Sequence, residues 1–473
     1  MTAGGGQTTE DGERIAGKHF LVVGLGISGL AVTRFLTARG ATATVTDRRK
    51  AGEIGEPVRE VREMGAATAL GGHDTALLDE IDAVILSPGV PHTIPFLAAA
   101  RDRGLEVIGE IELAARFLQT PMAAVTGTNG KTTTTEWIGE MLRRSGKNVF
   151  VGGNIGAPLI GLAHDGDRVD AAVVELSSFQ LDTIRTFRPH VAALLNITPD
   201  HLDRYDDMDA YARSKARIFE NQRTGDTAIF NGADPRIGSI ADRIPAGVTR
   251  RTFRSDGGPA DAVICAGAKH LSPRLVIQGT DGDEIPFDLS GVKLAGRHNL
   301  ENLAAAALAA LHAGATPSGI QAAIDGFRGL GHRLTPVAEI DGVRFYDDSK
   351  ATNVDAAARA LEAFDSPILL IMGGRTKGGG FTSLADAVEK RVKGLFLMGE
   401  AAGLLKADLG DRVPTRTAAD MDDAVRAAFR AAGPGDVVLL SPACASFDRY
   451  DSYAQRGEDF RRCVSELKPS GDR

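Results

Sequence analysis

PMAAVTGTNGKTTTTEWIGEMLRRSG, residues 121–146, decides the architecture. An apolar run reads as a strand. The glycine-punctuated TGTNGKTT (Thr126 to Thr133) reads as a tight loop, and the following stretch places Trp137, Ile138, Met141 and Leu142 on one helical stripe. A loop between a strand and a helix N-terminus turns several backbone N–H groups and the helix dipole toward one point, which suits a phosphate chain. In that reading Gly127, Thr128, Asn129 and Gly130 cradle phosphates, Lys131 reaches the β- and γ-phosphates, and Thr132 and Thr133 offer hydroxyls, Thr132 to a magnesium ion. Only Thr128 and Asn129 separate the two glycines, so the spacing departs from the usual G-x-x-x-x-G-K-[ST]. The plain alternative is a glycine-rich turn with a solvated lysine; the strand before and the helix after favour the nucleotide loop.

A magnesium–nucleotide site needs hard ligands at strand ends. Glu175 closes the apolar run AAVVEL, and His201, in NITPDHLDRY, follows the next one. Alone, such a histidine is more often a hydrogen-bonded loop residue, because Mg²⁺ rarely favours imidazole.

Upstream, HFLVVGLG and the helical ISGLAVTRFLTARG carry Gly24-x-Gly26-x-x-Gly29, and Asp47 ends the next strand. This would pass as a dinucleotide fingerprint. No hydride-transfer constellation accompanies it, and a nicotinamide enzyme would leave the second phosphate loop unexplained. The three glycines also suit a tight turn and close helix packing. Strand and helix signals alternate along the rest of the chain, so the expected class is α/β in three domains. These are a Rossmann-like N-terminal domain (18–110), a central P-loop ATPase-type domain (111–329) and a Rossmann-like C-terminal domain (330–473), after a disordered tail at 1–17. Between Gly225 and Lys293 the text turns polar, with short alternating runs that predict a small β-rich insertion.

Length and composition agree. The 473 residues suit about three domains of ordinary size. Hydrophobic residues are 43% and charged ones 25%, which excludes bulk disorder. The net charge of -8 has the wrong sign for a chain that coats nucleic acid. No apolar run approaches a membrane span, no signal-peptide pattern opens the chain, and three cysteines are too few for a disulfide framework. A cytoplasmic protein acting on small molecules, without nucleic acid or membrane insertion and as a monomer, is expected.

TGTNGKTT, GGNIG (152–156), ELSSFQL (175–181), NITPDHLDRY, GRHNLENLAAA, GHR (331–333) and DDSKATN (347–353) occur in the order seen in the ATP-dependent Mur ligases of peptidoglycan synthesis, and the chain resembles that family from Lys18 onward. SPACASFDRYDSYAQRG (441–457) looks like its D-glutamate-adding branch. The resemblance implies that ATP activates the terminal carboxylate of a UDP-N-acetylmuramoyl-L-alanine as an acyl phosphate, which the amino group of D-glutamate attacks. It gives catalytic roles to Lys131, His201, Lys215 and Lys377. Two magnesium ions, replaceable by Mn²⁺, would be held by Thr132, Glu175, His201 and Lys215, the last as a carbamate; unmodified, Lys215 is an unremarkable lysine. Asn299, Asn302, His332, Arg333, Asp348 and Lys350 would hold ATP, although Asn299 also suits a helix N-cap. Ile27 and Ser28 would meet the diphosphate, Asp47 and Arg48 the uracil side, Ser87, Pro88 and Gly89 the opposing loop, and Asn154 the reacting end. Thr352, Ser446, Phe447 and Tyr453 would join Lys377 around D-glutamate, whose two carboxylates need cations and donors. The segment GGRTKGGGF departs from the family, with Arg375 at a position where an acidic or small residue is expected. A ligase with another acceptor, a nucleotide-regulated switch and an NAD-binding protein are the competing readings.

Overall fold

The computed structural model describes residues 15–166, 168–202, 204–265, 273–279, 282–292, 297–326, 331–376 and 380–467. Among these, three sheets follow one another along the chain. The first contains β1 (His19–Val23), β2 (Thr42–Asp47), β3 (Ala67–Leu70), β4 (Ala83–Leu86) and β5 (Glu106–Gly109), all parallel in the order β3-β2-β1-β4-β5. Continuous apolar runs such as FLVV and AVIL are what a sheet covered on both faces requires. The order reverses between β1 and β4, and a crevice opens there at the strands' carboxyl ends.

The second sheet contains β6 (Met122–Thr126), β7 (Val149–Gly153), β8 (Ala171–Glu175), β9 (Val191–Leu194), β10 (Thr227–Asn231), β11 (Thr249–Arg254), β12 (Ala262–Cys265), β13 (Arg274–Gln278) and β14 (Glu284–Asp288), in the order β14-β13-β12-β11-β10-β9-β6-β8-β7. The stretch expected as a small β-rich insertion holds five strands, β10 to β14, and they continue the central sheet. β10 and β11 pair in parallel with it, and only β12, β13 and β14 form an antiparallel edge. The helix Arg297–His312 covers these strands with an almost fully buried alanine-rich face, in the same apolar cluster as Trp137 and Phe253.

The third sheet contains β15 (Thr335–Ile340), β16 (Val343–Asp347), β17 (Ile368–Gly373), β18 (Val392–Met398), β19 (Thr415–Thr417) and β20 (Val437–Leu440), in the order β15-β16-β20-β17-β18-β19, parallel except for the β15–β16 hairpin. Of the expected tail, 1–14 lie outside the described residues, but Ile15 is buried in the first domain's core and Gly17 N–H donates to Gly40 O at 2.9 Å.

Two buried carboxylates on the helix Glu110–Ala115 dock the first domain on the second. Glu112 accepts from the N–H groups of Arg185, Thr186 and Phe187 at 2.8–2.9 Å and from Arg116 Nε at 3.0 Å. Burial would raise its pKa, but these donors hold it below the usual range. Glu110 accepts from Ile160 N–H at 2.7 Å, at the start of the helix Leu159–Asp165, while Arg39 donates to Ala163 O near the other end at 2.7 Å. The helix is thus gripped at each end, by an acceptor for its unpaired N–H groups at the start and a donor to a carbonyl near its finish. Burial pushes the Glu110 carboxyl up to about 7. Because this lies above the ordinary 4.5, the fold prefers the protonated acid, and the Glu110 contribution is full below pH 4.5 and drains as pH rises toward 7. Glu110→Gln keeps the acceptor without the charge, so its urea-unfolding free energy is expected to fall less than the wild type's between pH 4.5 and 7; parallel profiles would show that Glu110 does not titrate there.

Candidate active site

The phosphate loop closes because two glycines allow it. Gly127 (φ 151°) passes so near β9 that a Cβ would lie 3.0 Å from Leu195 Cβ, and Gly130 (φ 86°) begins the helix Lys131–Arg144 where a Cβ would strike the Asn302 amide. Asn196, a residue the sequence reading did not single out, pins the loop: its Oδ1 accepts from Asn129 N–H at 2.8 Å and its Nδ2 donates to Asn129 O at 2.9 Å. Lys131 Nζ folds back onto Gly127 O and Thr128 O at 3.0 and 2.9 Å. Thr133 is buried in the first helical turn. Lys215 is no surface lysine: it is buried, its Nζ donates to Gly127 O at 2.8 Å, and it lies 4.6 Å from the Tyr211 ring centroid. Burial first, and then the positive charge of Lys131, pull its pKa well below the ordinary lysine value.

Glu175 ends β8 beside this loop, buried, with Oε1 accepting from Asn154 Nδ2 at 2.8 Å and Oε2 without a partner among the described residues. An unpaired buried carboxylate oxygen costs free energy unless a cation joins it. Among the described residues no group of three His, Cys, Asp or Glu side chains could hold a metal. Lys350 donates to Thr132 Oγ1 at 2.7 Å and stands 5.0 Å from the Tyr453 ring centroid, so third-domain groups reach the phosphate loop. Burial, and then Arg333, lower Lys350 to about 7. His201 (φ 54°) sits edge-on to Phe179 at 4.8 Å and to Tyr211 at 6.4 Å. The Tyr211 hydroxyl is 3.2 Å from Thr128 Oγ1.

A narrow pocket of about 30 Å³ lies between Asn129, Asn299 and Asn302 of the second domain and Arg333, Asp348 and Ala351 of the third. Asn299 lies within the helix Arg297–His312 rather than capping it, because the helix begins two residues earlier. His298, not foreseen, lines the same pocket, and burial, followed by Arg359 and Arg333, lowers it to about 4. Burial raises Asp348 to about 7 against the hydrogen bond from Ser441 Oγ at 2.9 Å. His332 donates from Nδ1 to the buried Asp347 at 2.8 Å, which fixes its ring.

A large cleft, about 1140 Å³, runs from Ile27, Ser28, Arg48, Ser87, Pro88 and Gly89 to Asn154, Thr132, Glu175, Lys350 and Tyr453. Its walls need small residues: a Cβ on Gly29 would overlap Gly24 O, and Gly24 (φ 96°) leaves no room beside Val90. Asp47 lines the cleft, but its oxygens are already taken. Leu25 N–H and Arg49 Nη2 donate to Oδ2 at 2.8 Å, and Arg49 N–H and Nε donate to Oδ1 at 2.9 and 3.0 Å. Burial opposes ionisation, but Arg49 holds Asp47 at about 2. Asp47, expected on the uracil side, thus also buttresses the glycine loop, and Arg49 is the partner the sequence reading overlooked.

A third cavity, about 320 Å³, lies between His201 and Leu202 and the third-domain residues Thr352, Asn353, Asp355, Thr376, Phe381 and Ala443. Thr352 is thus brought to it, whereas Tyr453 stands in the large cleft. Ser446 is buried and Phe447 is exposed, and neither lines the cavity. Lys377 lies outside the described residues. Arg375 pairs with Glu400 at 2.8 Å on the surface. Asn353 caps its helix through Ala356 N–H and also donates to Asp200 at 3.1 Å and Asn129 Oδ1 at 3.3 Å, while Asn129 Nδ2 donates to Asp355 at 2.5 Å. The third domain thereby holds the side chain at the tip of the phosphate loop. A lost charge-assisted hydrogen bond is worth about 1.5–3 kcal/mol. Asp355→Ala is accordingly expected to raise the KM for ATP by about tenfold or more with little change in Tm; steady-state kinetics with an unchanged KM would remove this latch from nucleotide binding.

Comparison with known proteins follows the same division. Residues 18–109 match the Mur ligase MurD-like N-terminal domain, 125–310 the Mur ligase middle domain and 332–444 the Mur ligase glutamate ligase domain. Proteins named UDP-N-acetylmuramoylalanine--D-glutamate ligase from Desulfosudis oleivorans and Desulfatibacillum aliphaticivorans are 50% and 49% identical to it. The first match covers 95% of this chain and 97% of that protein, the second 96% and 99%. Among solved structures, the MurF ligase of Thermotoga maritima in complex with ADP has a TM-score of 0.62 at 18% identity, covering 90% of this chain and 95% of that one. The UDP-N-acetylmuramate-alanine ligase MurC of the same organism has a TM-score of 0.60 at 18% identity, covering 95% and 100%. At that identity the two structures speak for the three-domain fold.

Proposed function

The chain belongs to the Mur ligase family, and from that premise we propose that it joins D-glutamate to UDP-N-acetylmuramoyl-L-alanine at the expense of ATP in peptidoglycan synthesis. The observation that carries this is the continuity of one cleft. It runs from the glycine loop of the first domain, suited to a diphosphate, to Thr132, the unpartnered Glu175 oxygen and Lys350, suited to phosphoryl transfer. A substrate with a nucleotide at one end and a reacting carboxylate at the other fits that span. A switch protein needs neither the long cleft nor the separate cavity at Thr352. Such a ligase works in the cytoplasm as a monomer, with no nucleic acid or membrane partner.

The reaction divides into two steps. The carboxylate of the L-alanyl group attacks the γ-phosphorus of ATP, giving an acyl phosphate and ADP. The D-glutamate amine then adds to the acyl carbon, the carbon–oxygen bond to phosphate breaks, and inorganic phosphate and the amine's proton leave. Phosphoryl transfer is largely positioning and charge stabilisation. The N–H groups of the 127–130 loop hold the phosphates, and Lys131 swings from its loop carbonyls to the γ-phosphate. Lys350 and Arg333 add positive charge from the third domain, while Asn299, Asn302 and His298 face the base. Magnesium, bound by Thr132 and Glu175 and completed by phosphate and water, would neutralise charge on the transferring group; a second ion would sit by His201 and a Lys215 carbamate, and Mn²⁺ would substitute. A lysine held neutral by burial is the form that adds CO₂, its nitrogen bonding to carbon and its proton leaving to solvent, which turns a buried amine into an anion. Asn154 holds Glu175 and faces the reacting end, and His201 and Thr352 border the glutamate cavity with Lys377.

The acyl-phosphate route predicts that heavy oxygen placed in the alanyl carboxylate appears as one labelled oxygen in the released phosphate. Unlabelled phosphate would overturn it.

A further inference from the structure

Accepting that the cleft holds a uridine diphosphate sugar at one end and activates its carboxylate at the other, we infer that Glu112 is a positioning residue that sets the reach of the cleft and so selects substrate length. The two ends belong to different domains: Ile27, Ser28 and the 87–89 loop to the first, Thr132 and Glu175 to the second. Their separation is therefore a property of the joint, and two domains on a short connector move relative to each other unless something holds them.

The connector is the helix Glu110–Ala115, between β5 and β6. On its first-domain side Leu86 pairs with Gly109, so the loop that starts at Ser87 and the connector leave the sheet side by side. On its second-domain side the fully buried Glu112 carboxylate sits in a nest. Oε2 accepts from three successive N–H groups, those of Arg185, Thr186 and Phe187, at 2.8–2.9 Å. Oε1 accepts from Thr186 Oγ1 at 2.7 Å and Arg116 Nε at 3.0 Å. Converging N–H groups call for an anion, and hydrogen bonds to an ionised acceptor are the strong kind. The stretch that ends in this nest begins at Glu175 and places Gln180 on the cleft wall. Glu112 thus fastens the first domain to the segment that carries Glu175. Close packing removes the remaining play: a Cβ on Gly109 would strike Thr183 Oγ1, and Phe117, just beyond the connector, meets Phe35 of the first domain edge-on at 5.0 Å. A fixed reach presents the carboxylate of a substrate of matching length in line with the γ-phosphate and holds a longer one out of line.

The test measures kcat and KM, with ATP and D-glutamate, for UDP-N-acetylmuramoyl-L-alanine and for the one-residue-longer UDP-N-acetylmuramoyl-L-alanyl-glycine. The proteins are the wild type, Glu112→Ala and Glu112→Gln. The wild type is expected to favour the shorter substrate by about 100-fold or more in kcat/KM. Glu112→Ala is expected to lower kcat for the shorter substrate by about tenfold, raise its KM and narrow the preference by about tenfold, with Glu112→Gln, which keeps the shape without the charge, in between. Inhibition by UDP alone and the KM for ATP should stay at wild-type values, because UDP meets the first domain and ATP the second and third. An active Glu112→Ala with the wild-type preference overturns the inference, and so does a variant in which the UDP and ATP constants worsen together with the rest, the mark of a merely structural role. Should Glu112→Ala fail to fold, Thr186→Val removes one side-chain donor and leaves the three N–H groups; it is expected to narrow the preference by about threefold, and an unchanged preference overturns the inference. A wild type that uses both lengths equally well overturns it without any variant and leaves the ligase reading intact, whereas a wild type that ligates neither overturns the ligase reading instead.

Discussion

Lys215→Met is expected to lower kcat by about 10²–10³-fold while leaving Tm within a few degrees of the wild type. Methionine keeps the unbranched stem beside Tyr211 and removes the amine. The fold has little to lose, because burial this deep disfavours the charged amine and methionine's apolar stem suits the same place. The loss falls on chemistry. Without the amine there is no carbamate and no second anion near the phosphate loop. The same account makes the wild type sensitive to CO₂: activity should fall in stripped buffer and return with bicarbonate, and Lys215→Met should respond to neither. A variant of near wild-type turnover would reduce Lys215 to a prop for Gly127 O.

Glu175→Gln should match that loss, about 10²–10³-fold in kcat, with the magnesium requirement shifted upward at least tenfold. Glutamine retains an oxygen for Asn154 Nδ2, so the neighbouring loop stays in place. Its amide nitrogen then occupies the position of the free Oε2 and turns donor hydrogens toward the place a cation would take. Magnesium titration of the initial rate separates the roles, since a purely structural carboxylate would leave the midpoint where it was.

The parts of this molecule legible in its sequence are those whose signal is local. The phosphate loop, the end of β8 at Glu175 and the glycine turn after β1 each lie within a few residues of the apolar runs that betray them. The helices Val354–Glu362 and Met421–Ala431 follow from periodicity and an N-cap. What stayed hidden depends on partners far along the chain. Nothing local marks Glu110 and Glu112 as buried, because the segments at 159–160 and 185–187 that hold them lie far along the chain. The strands from β10 to β14 are short and alternating, a pattern that fits a separate module as well as a sheet extension. No pattern announces that the neighbouring Arg49 will fold over Asp47.

The most direct test of the central claim is phosphate release by the purified protein with ATP, Mg²⁺ and UDP-N-acetylmuramoyl-L-alanine, with D-glutamate, L-glutamate, L-alanine or a diamino acid as acceptor. The account predicts release with D-glutamate alone, together with a product heavier by one glutamyl residue. Release that depends on a different acceptor, or phosphate formed with no heavier product, would contradict it.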